Sequence, residues 1–327
     1  MKKVTVIGGG TGTFVVLSGL KNHRIDLGVI VSMMDSGGST GRLRDQLGVL
    51  PPGDLRQALL ALSDAPLLWR RLFLYRFQNG DLGGHNFGNL FLSALEKVSS
   101  NYNEVINTAS YVLKTKGKVI PVTFERTHLG VEYESGSVVK GEGNIDKNYQ
   151  EKTRVKRAFL EPAVVANSQA IKHILESDYI ITGPGDLYAS IIPILLVDGI
   201  KDALKRTKAT CIYILNLMTK SGQTTDYTAY DHLKDVSHYF GKTPDYVIVN
   251  NGSIPEDILR WYEKEHEHVV VNDLSSKNYK GRVIISDVVD RKKFVQEGSD
   301  TLVDPMVRSI LRHSSKKLEK VLLKIIT

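Results

Sequence analysis

The chain has 327 residues, 42% of them hydrophobic, with Cys211 its single cysteine. That length accommodates one large α/β domain or two medium ones. One cysteine excludes an internal disulfide, a cysteine-based zinc site and a CxxC redox motif, and the hydrophobic fraction excludes a disordered chain. The formal charge of +7 comes from 43 basic and 36 acidic residues scattered along the sequence, a distribution that suits an anionic small ligand and argues against a nucleic-acid partner.

The opening Met1-Lys2-Lys3-Val4-Thr5-Val6-Ile7-Gly8 has only a four-residue β-rich run before glycine. It lacks the apolar core of about 7–15 residues and the cleavage site of a signal peptide. No apolar stretch approaches the ~18 residues of a membrane span. Together with the lone cysteine this predicts a cytoplasmic protein without a membrane span. Apolar runs at 4–7, 27–33, 179–182, 211–216, 246–250 and 269–271 predict short strands covered on both faces. Stripes of apolar residues predict helices over 54–62, 88–98, 163–175 and 191–205. The basic cluster from Arg312 to Lys324 reads as a solvated helix face, with Leu318, Leu322 and Ile325 opposite. Strand–helix alternation predicts a doubly wound parallel sheet in a Rossmann-like three-layer α/β sandwich, one domain over 1–327. At about 119–160 the text turns polar, alternating and glycine-rich, which predicts a small β-rich insertion of antiparallel strands.

Five polar loops end predicted strands or open predicted helices. Gly8-Gly9-Gly10-Thr11-Gly12-Thr13 follows the first strand. Its glycines let backbone N–H groups approach an anion at a helix amino terminus. The dinucleotide pattern GxGxxG is half met, since Thr13 or Val15 stands at the third glycine, and the Walker pattern is absent. Asp35-Ser36-Gly37-Gly38-Ser39-Thr40-Gly41-Arg42-Leu43-Arg44 offers a carboxylate for ribose hydroxyls, then an anion nest with Arg42 and Arg44 for phosphate. In Gly53-Asp54-Leu55-Arg56, Asp54 suits a helix N-cap, whereas Arg56 opposes the macrodipole and so hints at an anion. In Gly83-Gly84-His85-Asn86-Phe87-Gly88-Asn89, Asn86 and Asn89 suit caps and His85 is a candidate base. Finally, Gly183-Pro184-Gly185-Asp186-Leu187-Tyr188 and the strand-ending Asn216 and Thr219 bring further polar groups. Ligands of open α/β sheets bind beyond the carboxyl ends of the strands, where all these loops point.

Six of these motifs occur in an order that resembles the YvcK/CofD-like proteins: Gly-Gly-Gly-Thr-Gly at 8–12, Asp-Ser-Gly-Gly-Ser-Thr-Gly-Arg-Leu-Arg at 35–44, Gly-Asp-Leu-Arg at 53–56, Gly-His-Asn-Phe-Gly-Asn-Leu at 84–90, Gly-Pro-Gly-Asp-Leu-Tyr at 183–188 and Asn-Leu-Met-Thr at 216–219. The likeness extends to about residue 255 and is closer to the YvcK branch, the gluconeogenesis factors, than to the CofD transferases. The resemblance implies a factor that binds a UDP-sugar such as UDP-N-acetylglucosamine and serves gluconeogenic growth, cell shape and envelope synthesis. The CofD branch implies the alternative, a magnesium-dependent transfer of a phosphoryl-linked group from a nucleotide diphosphate donor. Asp35, His85 and Asp186 are then the catalytic candidates, and Asp35 and Asp186 the candidates for Mg2+. Met34 stands where the family usually has a second aspartate, Asp186 where it has a serine, and Thr301-Leu302-Val303-Asp304-Pro305 where it has an Arg-His-Asp stretch. The ligand set is Gly9, Gly10, Thr11, Gly12, Thr13, Asp35, Ser36, Gly37, Gly38, Ser39, Arg42, Arg44, Asp54, Arg56, Asn86, Asn89, Gly183, Gly185, Asp186, Tyr188, Asn216, Thr219 and Tyr262. Tyr262, on the amphipathic stretch 255–265, offers a ring face for uracil and a hydroxyl for a sugar, or else packs in the core. The partner is a nucleotide diphosphate or UDP-sugar, with a second copy of the chain as a further candidate.

Overall fold

The structure, a computed structural model, describes residues 1–291 and 311–326. The strands of the main sheet are β1 (Lys2–Ile7), β2 (Ile25–Val31), β3 (Lys118–Pro121), β7 (Tyr179–Thr182), β8 (Thr210–Ile214), β9 (Tyr246–Asn250) and β10 (Arg282–Ser286). They lie in the order β10-β9-β8-β7-β1-β2-β3, and every pairing is parallel. Chain order therefore reverses between β1 and β7, which creates the crevice in which such sheets bind ligands.

The crossovers between these parallel strands place helices on both faces. One face carries α1 (Gly10–Leu20), α3 (Gly53–Leu62), α5 (Phe87–Val98), α6 (Tyr102–Leu113) and α13 (Ser315–Ile326). The helices α2 (Gly38–Leu47) and α4 (Leu67–Leu74) flank that layer. The other face carries α8 (Ser168–Glu176), α9 (Ile192–Leu195), α10 (Ile200–Arg206) and α11 (Ala229–Phe240), and α12 (Glu256–Lys264) leads into β10. This is the doubly wound three-layer sandwich that the alternation predicts. The insertion holds β4 (His128–Tyr133), β5 (Val138–Lys140), α7 (Glu142–Ile145) and β6 (Val155–Glu161), and its three strands form an antiparallel sheet. The first apolar residues of the 119–160 segment belong instead to β3, at the edge of the main sheet.

Two expectations are corrected, and a third falls on residues that are not described. The run 269–271 is no strand of the sheet: only Val270 is buried, and Val269 makes one isolated bridge to Met218. The helix expected over 191–205 is broken into a π turn at Leu187–Ile191, α9 and α10, with Pro193 in the first turn of α9 and Gly199, at φ 95°, ahead of α10. The residues Thr301–Pro305 lie outside the described residues.

The centre of the sheet contains one polar knot. Thr5, fully buried on β1, lies 2.7 Å from His173 Nδ1 and 2.6 Å from Ser177 Oγ on the covering layer. The His173 ring fills the space that a side chain at position 28 would occupy, so β2 has Gly28 there. Burial, then the Lys3 and Lys118 charges, lower the His173 pKa to about 4. Burial likewise lowers that of His313 to about 4. Both rings are neutral in the fold and bind protons more readily once unfolded, so their contribution to stability is lost as pH falls from about 6.5 towards 4. For His173 the loss is about 2 kcal/mol by pH 5. Urea unfolding at pH 7 and pH 5 should show that loss, and His173→Gln, which cannot titrate, should show a smaller one.

Candidate functional site

The carboxyl ends of β1, β2, β7 and β8 open into a cleft of about 640 Å³. Its first wall is the turn after β1. Side chains at Gly9 and Gly12 would collide with the Asp54 carboxylate and with the Pro184 carbonyl, so the turn is held between α3 and the loop after β7. Gly10 adopts φ 66°, and its N–H donates to Asp54 Oδ1 at 2.9 Å. Asp54 thus sits inside the first turn of α3, and Pro52, not Asp54, is the N-cap.

The helices α1, α2 and α3 all begin at this cleft, and none is capped by the side chain of its own N-cap residue, the first N–H of α1 being taken by Asp54. Their first N–H groups are the usual binding site of an anion, and the helix dipole adds to the attraction. Arg56, buried in the first turn of α3, donates from Nε to Asn89 Oδ1 at 2.8 Å. Asn89 in turn reaches Ser39 Oγ at 3.3 Å and Thr40 Oγ1 at 3.4 Å. A cation is therefore fixed where helix polarity is already positive.

The far half is built from the loop after β7, the segment after β8, α7, α12 and the strand pair β11 (Val289–Asp290) with β12 (Arg312–His313). Asn216 Nδ2 donates to Gly185 O at 2.9 Å, while its Oδ1 is buried without a partner, as is Gln57 Oε1 on the opposite wall. Lys220 lies between Asp146 at 3.7 Å and Glu267 at 3.8 Å, with Tyr149 beneath it. Burial lowers its pKa, but Asp186, Asp146 and Glu267 raise it further, so the ammonium stays charged. Burial raises the pKa of Glu267.

Many of the residues expected from sequence stand on this wall: Gly9, Gly10, Thr11 and Gly12; Asp35, Gly37, Gly38 and Ser39; Asp54, Arg56 and Asn89; Gly185, Asp186, Asn216, Thr219 and Tyr262. Others stand behind or beside it. Thr13 is buried under the first turn, and Asn86 caps α5 by accepting the Asn89 N–H. Ser36 accepts the Gly143 N–H at 2.9 Å. Arg42 donates to Gly83 O at 2.9 Å, and Arg44 pairs with its neighbour Asp45. Gly183, at φ 76°, lies against the Ile214 carbonyl behind the wall, and the Tyr188 hydroxyl donates to Asp235 at 2.6 Å. His85 is buried, 3.1 Å from Ser39 Oγ. Burial, then Arg42 and Arg76, lower its pKa. It therefore meets the cleft only through Ser39.

Lys220, Glu142, Asp146, Glu267, Arg312 and His313 also line the cleft and were not singled out as ligand residues from sequence. Arg312-His313 was a usable signal, since the pair directly precedes an amphipathic helix.

The fold and cleft define a doubly wound α/β protein with a cleft lined by helix amino termini at its switch point. The family model of 2-phospho-L-lactate transferase CofD matches residues 4–289, and the chain belongs to the CofD family. It is 38% identical over 323 residues to the gluconeogenesis factor of Bacillus subtilis, covering 98% of this chain and 96% of that protein. It is 38% identical over 325 residues to the gluconeogenesis factor of Halalkalibacterium halodurans, with the same coverage. The crystal structure of a UPF0052 family member from Bacillus halodurans superposes with a TM-score of 0.88 at 36% identity, covering 99% of this chain and 100% of that one. No helix among the described residues is long and apolar enough to cross a membrane.

Tyr262 has both surroundings that the sequence left open. Its ring packs in a small cluster with Leu217, Met218 and Ile258, and its hydroxyl accepts the Leu311 N–H at 3.3 Å. Tyr262→Ala should therefore destabilise the free protein by about 3 kcal/mol or more. Tyr262→Phe, which removes only the acceptor, should cost about 1 kcal/mol. Thermal unfolding of the two variants checks this, and equal losses would remove the packing role.

Proposed function

We propose that the chain is a cytoplasmic binding factor for a nucleotide sugar of the UDP-N-acetylglucosamine type, required for gluconeogenic growth, cell shape and envelope synthesis. The observation that carries this reading is the convergence of three helix amino termini and Arg56 on one end of a cleft whose other end holds Asp146, Asp186, Glu267 and the unpartnered amide oxygen of Asn216. A diphosphate suits the first end, where helix N–H groups and the Arg56 guanidinium supply positive charge. Sugar hydroxyls suit the second, because its carboxylates and the Asn216 amide oxygen accept hydrogen bonds from them. The name borne by the Bacillus subtilis and Halalkalibacterium halodurans relatives supports the metabolic part.

The CofD family model supports a second reading, a magnesium-dependent transfer of a phosphoryl-linked group from a nucleotide diphosphate donor. Magnesium is held by one or two carboxylates with phosphate oxygens completing its shell. Asp35 fits that part: it is on the wall beside the phosphate end and uses one oxygen for the Gly37 N–H, at 2.9 Å. Asp186 fits less well, since Lys220 already balances its charge. When bound, the ion would neutralise phosphate charge. The chain's own part is to hold the diphosphate on the helix termini, with Arg56 fixed by Asn89. A general base needs to reach the proton that it takes, and the position of His85 behind Ser39 supports a role in positioning Ser39.

Calorimetry with UDP-N-acetylglucosamine, GDP, NAD and NADP tests the proposal. The UDP-sugar should bind and NAD should not; tight NAD binding with no signal from the UDP-sugar would reject it. Thr11→Asp sharpens the test. A carboxylate in the first turn of α1 complements the dipole and should leave stability unchanged or raise it by about 0.3–1 kcal/mol. The same charge should repel a diphosphate and weaken UDP-sugar binding at least about tenfold. Unchanged affinity would remove the phosphate from this end.

A further inference from the structure

The amino ends of the parallel strands form the edge of the sheet opposite the cleft, and cations gather where α3 and α6 end beside it. Lys21 donates from Nζ to Ser63 O at 2.6 Å, and Lys116 pairs with Asp64 at 3.1 Å. Asp64 N also meets Lys114 O at 3.1 Å, which joins the end of α6 to the start of the α4 segment. The Arg70 and Lys116 charges are close enough to lower the pKa of Lys21, after burial.

On this rim the chain presents large apolar side chains to solvent. Leu67 and Leu68, which open α4, are 67% and 78% exposed, and Trp69 is 41% exposed. Tyr111, one turn before the junction of α6 with Asp64, is 85% exposed. The helix is amphipathic in an uncommon sense. Phe73 alone is buried, and the exposed surface carries the leucines and tryptophan together with Arg71, with Arg70 half-buried beside them. Neither arginine forms an ion pair among the described residues. Soluble surfaces do not gather exposed leucines without a partner for them.

We propose that this rim docks on an anionic lipid bilayer. Leucine and tryptophan beside lysine and arginine is the chemistry of an interfacial helix: the apolar groups enter the acyl boundary and the cations meet the lipid phosphates. Charge complementarity selects the occupant. A nucleic acid would satisfy the cations but has no use for Leu67 and Leu68, and a second copy would bring the same cations against Arg70 and Arg71 across a two-fold axis. The proposal uses no residue of the cleft apart from its neighbourhood to Leu74, so it stands apart from the nucleotide-sugar reading.

Co-sedimentation of the full chain with vesicles tests it. At physiological ionic strength the chain should pellet with equimolar phosphatidylglycerol and phosphatidylcholine, and not with phosphatidylcholine alone. The double variant Leu67→Ser/Leu68→Ser should lower that partitioning at least about tenfold. Its melting temperature should match that of the parent, because both side chains are exposed. Arg70→Gln/Arg71→Gln should also weaken it and flatten its salt dependence. Absence of partitioning into the anionic vesicles, or equal partitioning of the leucine variant, would overturn the proposal. So would light scattering that shows a dimer which the leucine variant breaks, or retention on single-stranded RNA stronger than on the vesicles and indifferent to the leucines.

Discussion

The hydrogen bond from Gly10 N–H to Asp54 determines where the rest of the cleft lies. It ties the turn after β1 to the first turn of α3. That fixes Arg56, one residue beyond Leu55 on the same helix start. Arg56 holds Asn89 at the start of α5, and Asn89 holds Ser39 and Thr40 at the start of α2. Four helix starts are thus linked in one chain of contacts. The order of the links matters because each uses a buried polar group, which costs about 1–3 kcal/mol if left unpaired. A shift of one helix would strand groups on the next, so the arrangement is held as a unit before any ligand arrives. Pre-organised donors of this kind are worth more than flexible ones, because little order is lost on binding.

The electrostatics of the cleft differ from end to end. At the α1–α3 end, three helix amino termini and Arg56 line the cleft, and Asp54 is bonded to the Gly10 N–H. At the far end, Lys220 is surrounded by Asp146, Asp186 and Glu267. A lysine so enclosed is neutralised by its neighbours and has little attraction left for a distant anion. Its physical effect is to offset the mutual repulsion of those carboxylates. An ionised carboxylate accepts hydrogen bonds and donates none. The far end therefore favours a neutral ligand portion rich in hydroxyl donors, joined to an anionic portion that reaches the helix termini.

The sequence made parts of this legible and hid others for physical reasons. The strands Tyr179–Thr182 and Tyr246–Asn250 have the expected bounds because their continuous apolar runs reflect burial on both faces. The valines at 269–271 make a similar run, yet Val269 and Val271 are 42% and 64% exposed. Local pattern alone cannot tell such a segment from a strand. β10 was missed for the opposite reason: it is an edge strand, and its residues are half-buried or exposed. The glycine loops were legible because close backbone approach leaves no room for a Cβ, and that constraint is written in single residues such as Gly9 and Gly12. The positions of Arg42 and His85 were not legible. Which way an arginine or histidine points depends on what packs against it, here Gly83 O and Ser39. Lys220 and Glu267 are 47 residues apart and meet through the fold alone.

The insertion shows why a Rossmann-like core alone would leave this cleft open. Its sheet is anchored on the second half of the domain. Tyr133 donates its hydroxyl proton to Gly222 O at 2.8 Å, and Arg154 forks onto Asp231 at 2.9 and 3.0 Å. Asp231 also closes the capping box of α11, so the anchor rests on a helix start already fixed. From that base α7 reaches across the crevice to the first half, where Gly143 N–H donates to Ser36 and Ser36 N–H to Glu142. Asp146 then meets Lys220 on the way back. The roof is therefore bonded to both sides of the switch point, to the loop after β2 and to the segment after β8. A planar sheet edge presents its loops to water. Covered in this way, the same loops face a partly enclosed space, where helix termini and fixed charges act with less screening than they would on an open surface.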